Sequence, residues 1–169
     1  MKRKTLFLTQ SAIIAALYLV LTHFQNLIFP ESTSMAIQFR ASAALCVLAF
    51  FTPAAIPGVT VGCFLFNITF SASLPLDFLV GSLASLLATA GMWLTRRVTV
   101  KGLPLLGLLM PAVTNALLVG WELSHYIGGG FFINAACVAI GEVAVLLTLG
   151  TVLYYTIKNR NLQSRLFHS

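Results

Sequence analysis

Ile37-Gln38-Phe39-Arg40-Ala41-Ser42-Ala43-Ala44-Leu45 sets one guanidinium at the head of an apolar run, with nothing nearby in the chain to neutralise it. A charge in that position requires snorkelling room, a carboxylate partner or a bound ligand. Composition decides what surrounds it. The 169 residues are 59% hydrophobic and 8% charged, whereas soluble domains carry roughly 25% charged residues. The chain reads as an integral membrane protein. Its net charge of +6 then reports which loops face the cytoplasm rather than an affinity for nucleic acid.

Upstream of the arginine, Met1-Lys2-Arg3-Lys4 precedes an apolar run at about 6–29, long enough for a bilayer that needs roughly 20 residues. This run exceeds a signal-peptide core and meets no prompt small-x-small cleavage site, so it predicts a first helix rather than a leader. Pro30-Glu31-Ser32-Thr33-Ser34 is turn chemistry, and a short second helix runs from Arg40 to about 51. Two prolines and a glycine at 52–58 predict a break before a third helix at about 59–70. Ser71-Ala72-Ser73-Leu74-Pro75 turns the chain into a fourth helix at about 76–94, which ends at Arg96, Arg97 and Lys101. A fifth follows Pro104 to about 121, a glycine loop closes 126–130, and a sixth runs over about 131–157.

Six spans place both termini on one side. Lys2, Arg3, Lys4, Arg96, Arg97, Lys101, Lys158, Arg160 and Arg165 all fall on that side, leaving Arg40 alone on the other. By the positive-inside rule, the side of the termini is the cytoplasm. The expectation is an all-α membrane protein in which residues 1–169 form a single six-helix domain, without repeat or linker.

Depth then sorts the polar residues. Arg40 begins helix two, Asn67 ends helix three, Asp77 begins helix four, Asn115 and Glu122 end helix five, and Asn134 and Glu142 occupy the first half of helix six. All fall toward the outer level. Asn115 and Glu122, seven apart, share a helix face, and Asp77, Gly81 and Ser85 form a stripe of period four. For Asp77 a dipole-favoured helix start competes with a ligand contact. Glu142, deeper in the bilayer, marks function or pairs internally with Arg40. Asn115 either lines the pocket or bonds across helices.

The three cysteines, Cys46, Cys63 and Cys137, lie in apolar runs without metal-ligand spacing and read as small buried hydrophobes. His23 and His125 fall at the outer interface, with Trp121, Tyr126 and Phe131 as an aromatic belt or as stacking surfaces. Neither an ordered Ser/His/Asp set nor paired metal ligands suggests an enzyme, and no cofactor is implied. No Gly-x-x-x-x-Gly-Lys phosphate loop is present, so ATP hydrolysis would come from elsewhere. A stand-alone channel or secondary transporter is the rival to an ATP-coupled importer, since intramembrane carboxylates also serve proton relays.

Gln38-Phe39-Arg40, Ile56-Pro57-Gly58 followed by Gly62-Cys63 and Asn67, Asp77 before Gly81-Ser82-Leu83-Ala84-Ser85, Asn115-Ala116 with Gly120 and Glu122, and Gly141-Glu142 together resemble the QueT family. The likeness extends over nearly the whole chain. Its members are substrate-binding S components of energy-coupling factor transporters for queuosine precursors. The resemblance implies a cell-membrane protein that docks on a transmembrane coupling subunit carrying two ABC ATPase subunits. It also implies a 7-deazaguanine substrate, either the aminomethyl form, the cyano form or queuine. Gln38, Arg40, Asn67, Asp77, Asn115, Glu122 and Glu142 would bind it. Ala12 and Ala16, a small-xxx-small pair on helix one, would meet the coupling subunit or else serve internal packing. One position departs from the motif: Ala43 stands where the family pattern carries glutamate, which leaves Asp77, Glu122 and Glu142 as candidate partners for Arg40.

Overall fold

The computed structural model describes residues 2–29, 39–69 and 74–163. Gln38, the turn expected at 30–34, residues 71–73 of the turn expected at 71–75, and Arg165 lie outside the described residues. Within them the chain runs through α1 (Lys2–Ile28), a 3₁₀ helix (Ala41–Phe50), α2 (Ala55–Thr69), α3 (Asp77–Thr95) and the single turn α4 (Leu105–Leu108). It continues through α5 (Met110–Tyr126), α6 (Phe131–Val145), a π-helical turn (Leu146–Gly150) and α7 (Thr151–Asn159). Four helical stretches are long and apolar enough to cross a membrane: Arg3–Ile28, Asp77–Thr95, Leu105–Tyr126 and Phe131–Asn159. The 3₁₀ helix and α2 are shorter apolar segments.

The second helix differs in kind from the expected one. Ten residues of α-helix would rise about 15 Å, whereas the same residues as 3₁₀ reach about 20 Å. The narrower, longer form suits its position, because this helix packs against α1, α2, α3, α6, the π turn and α7. Every residue from Ser42 to Phe50 is buried. Leu45, Cys46, Val47, Leu48, Ala49 and Phe50 join Ile14, Val59, Met92, Leu108 and Leu146 in the main hydrophobic cluster.

The break before α2 is also shorter than expected. Residues 55–58 are already helical, since a proline in the first turn removes an N–H that has no intrahelical acceptor anyway. α1 lies against α2 nearly backbone to backbone. A Cβ on Gly58 would stand 2.9 Å from the Ser11 carbonyl oxygen, and one on Gly62 would stand 2.7 Å from Tyr18 Cβ and 2.9 Å from the Ala15 carbonyl oxygen. That seat consumes the face of α1 carrying Ile14, Ala15 and Tyr18, while Ala12 and Ala16 lie exposed on the other side.

Contacts at the two ends give the direction of each segment. Thr52 donates to Gln10 Oε1 at 3.2 Å, and Ala41 N–H donates to Gln25 Oε1 at 2.7 Å, so the 3₁₀ helix runs antiparallel to α1. At the end of the bundle that holds residue 52, Lys101 (φ 51°) and Gly102 (φ 83°) make a two-residue turn, closed by the pairing of Val100 with Leu103. Two positive φ values are what a type I′ turn requires. Lys158 Nζ (3.0 Å) and Tyr154 OH (3.3 Å) both donate to the Gly102 carbonyl, fastening α7 to this turn. At the opposite end, Gly128, Gly129 and Gly130 all have positive φ between α5 and α6, and Asn134 Nδ2 donates to the Gly128 carbonyl at 2.7 Å.

Exposed apolar side chains such as Leu8, Ile13, Val20 and Leu27 on α1 and Phe132, Ile133 and Ile140 on α6 form the exterior that lipid solvates. Gly62→Val is expected to destabilise the protein by about 1–3 kcal/mol, because the added methyls meet the Ala15 carbonyl and the root of the Tyr18 side chain, neither of which can move without shifting α1. Thermal unfolding in detergent measures this, and an unchanged midpoint would show that α1 can shift off α2 without loss.

Candidate functional site

Arg40 is held in an extended conformation (φ −95°, ψ 96°) at the N-terminus of the 3₁₀ helix. Its side chain is directed into the bundle, with the residue only 9% exposed. Nη1 lies 3.9 Å from Cys63 Sγ, and the guanidinium stands 5.9 Å from the centre of the Phe66 ring. Tyr18, buried on α1, interacts with both Arg40 and Cys63. Cys63 is thus more than an apolar filler, and Cys137 is only half-buried rather than enclosed.

α2 and α3 meet at this level. Asn67 Nδ2 donates to the Asp77 backbone carbonyl at 2.9 Å and lies 3.7 Å from Cys63 Sγ. Gly81 makes that approach possible: a Cβ there would fall 2.7 Å from Asn67 Nδ2 and 3.2 Å from Asp77 Oδ1. The period-four stripe of α3 therefore uses its glycine for close packing beside two polar groups.

α5 and α6 complete the level. Asn115 Nδ2 donates to Glu142 Oε1 at 2.8 Å, so this asparagine bonds across helices. Gly120 lets the two helices touch, since a Cβ on it would lie 2.8 Å from the Ala135 Cα. Glu122 is completely buried. Arg40 interacts electrostatically with all three carboxylates, Asp77, Glu122 and Glu142.

The structure therefore turns Arg40, Asn67, Asp77, Asn115, Glu122 and Glu142 toward the inside of the bundle, over a depth of about two helical turns between Asn115 and Glu122, while Gln38 lies outside the described residues and Ala12 and Ala16 lie apart on the outside of α1. Neither Tyr18 nor Cys63 stands out in the sequence as a polar site residue, because each sits in an apolar run. The spacing of Cys63 and Asn67, one helical turn apart, is the signal that joins them.

Hydrogen bonding defines what the level can do. Both oxygens of Glu122, Oε2 of Glu142 and Oδ1 of Asn67 are buried without a hydrogen-bond partner among the described residues. With the two glutamates ionised, all four atoms are acceptors. A buried acceptor left unmade costs about 1–3 kcal/mol, so the arrangement calls for N–H donors or a cation. Among the described residues no three His, Cys, Asp or Glu side chains converge as they would around a metal ion.

Glu122→Gln removes a buried carboxylate that has no hydrogen bond. The amide keeps two buried polar atoms to be satisfied but takes one negative charge from a site where Asp77 and Glu142 still face Arg40, so the ligand-free variant is expected to melt no lower than the parent. Differential scanning measurements on both proteins check it, and a lower midpoint would mean that the carboxylate is stabilised in the empty protein.

A sequence model of the family described as QueT transporter matches residues 8–159, nearly the whole chain. Comparison with curated proteins and with solved structures gives no significant match.

Proposed function

This chain belongs to the QueT transporter family, and from that premise we propose that it is the substrate-binding S component of an energy-coupling factor importer, capturing a 7-deazaguanine precursor of queuosine from outside the cell. The observation that carries the substrate reading is the set of four buried acceptor atoms on Glu122, Glu142 and Asn67. A guanine-type edge presents a ring N–H beside an exocyclic amine, which one carboxylate accepts in parallel, and its carbonyl takes a donor such as Arg40.

Charge favours one form of the base. Asp77, Glu122 and Glu142 outnumber Arg40 at this level, leaving a negative surplus when they are ionised. An aminomethyl arm brings a cation that offsets part of the surplus, which a nitrile does not. At position 43, where the family pattern carries glutamate, a methyl group packs with Ala44 and Val145. Glu142, one turn before Val145 on α6, then serves as the carboxylate on that side.

In this reading all six apolar segments cross the cell membrane, including the 3₁₀ helix and α2. The termini are cytoplasmic, together with Arg96, Arg97, Lys101, Lys158 and Arg160. A transmembrane coupling subunit with two ABC ATPases supplies the energy. Ala12 and Ala16, exposed on α1, give that subunit a face of close approach.

Calorimetry on the purified protein is expected to detect binding of 7-aminomethyl-7-deazaguanine without ATP, and Arg40→Ala is expected to weaken it while lowering thermal stability. Failure of every deazapurine to bind would overturn the substrate. Replacing Ala12 or Ala16 with Leu is expected to impair uptake in cells while leaving binding intact. Uptake by this chain in the absence of any ATPase partner would instead support a stand-alone transporter, the reading that unpaired buried carboxylates also fit.

A further inference from the structure

The 3₁₀ helix begins without a cap of its own. Its first internal bond runs from Ala43 N–H to the Arg40 carbonyl at 2.8 Å, so the N–H groups of Ala41 and Ser42 have no acceptor inside the helix. Arg40, the residue at the cap position, makes no side-chain capping bond. The missing acceptor comes from α1: Gln25 Oε1 takes Ala41 N–H at 2.7 Å. The same side-chain amide donates through Nε2 to the Phe39 carbonyl. Gln25 thus grips the backbone on both sides of Arg40. One turn earlier on the same helix face, buried Thr22 donates to the Tyr18 carbonyl at 2.6 Å and meets the Ser42 hydroxyl at 2.7 Å.

We infer that Gln25, supported by Thr22, is a positioning residue for Arg40: it fixes the direction in which the guanidinium leaves the backbone and so sets the affinity of the polar level for its ligand. An extended residue between two helices has free φ and ψ unless its flanking peptide groups are bound. Here one amide binds both. The consequence reaches α1 as a whole, because the helix that aims the arginine inward also presents Ala12 and Ala16 outward. The candidate site and the outer face of α1 are thus joined through a single helix.

The ligand arm of the test rests on the substrate reading above. Gln25→Leu, which keeps the volume and removes both bonds, is expected to weaken binding of 7-aminomethyl-7-deazaguanine to the full chain about five- to tenfold. In an Arg40→Lys background the same change is expected to cost less than about twofold, since its effect passes through the guanidinium. Thr22→Val provides a second volume-preserving variant, with an expected loss of about two- to threefold. Equal losses in both backgrounds, or no loss in the first, overturn the positioning role. Hydrogen exchange on the ligand-free protein reads the bracket without any substrate. Gln25→Leu is expected to speed exchange at the amides of Ala41 and Ala43, the latter bonded to the Arg40 carbonyl, and to leave those of Cys63 and Phe66 unchanged, whereas a uniform rise or no change overturns the inference. If the parent binds no deazapurine but exchange at Ala41 and Ala43 responds, the substrate falls and the positioning of Arg40 stands.

Discussion

A guanidinium taken into the apolar interior must find opposite charge and hydrogen-bond acceptors within the protein, and this requirement at Arg40 organises the bundle. The surrounding helices each bring something to its level: Tyr18 from α1, Cys63 and Asn67 from α2, Asp77 from α3, Glu122 from α5 and Glu142 from α6. The compensation is deliberately uneven. Asn115 satisfies one oxygen of Glu142, and four acceptor atoms are left over. A core optimised for stability alone would not retain buried unmade acceptors. Retaining them is intelligible when a ligand completes the network.

The central helix adds a second constraint. Buried along nine consecutive residues, it has no solvent-facing stripe, and its composition of alanines, serine, cysteine and medium aliphatics keeps it slim as far as its terminal Phe50. Its neighbours close in through glycines. Gly107 would place a Cβ 2.6 Å from the Phe50 ring, and Gly150 would place one 3.3 Å from Val47 Cγ2. Packing of this kind fixes the height of the helix between Arg40 at one end and the Phe50, Phe51 and Tyr154 ring cluster at the other.

Much of this was legible from residue order alone. Low charge content and long apolar runs established a helical membrane protein, and the alternation of basic and polar levels anticipated which residues would meet near Arg40. Periodicity could not distinguish a 3₁₀ helix from an α-helix over ten uniformly apolar residues, since a segment buried on every side has no moment to betray its pitch. Pro57 suggested a break because a proline's effect depends on whether it falls before or inside the first turn, which is decided by packing. Gln25 was invisible as a site residue because its bonds go to backbone atoms of Phe39 and Ala41, and backbone partners leave no mark in a residue code.

The π turn between α6 and α7 bears on how the last helical stretch serves two ends at once. A π turn accommodates one residue more than the α-helical ladder, so it resets the angular phase of everything after it. Glu142 before the turn is aimed by contacts with Asn115, while Tyr154 and Lys158 after it are aimed by the Gly102 carbonyl. With an uninterrupted α-helix, rotating one set onto its target would rotate the other off. The extra residue decouples them, so the carboxylate half and the anchoring half of a single rod can each keep its own azimuth.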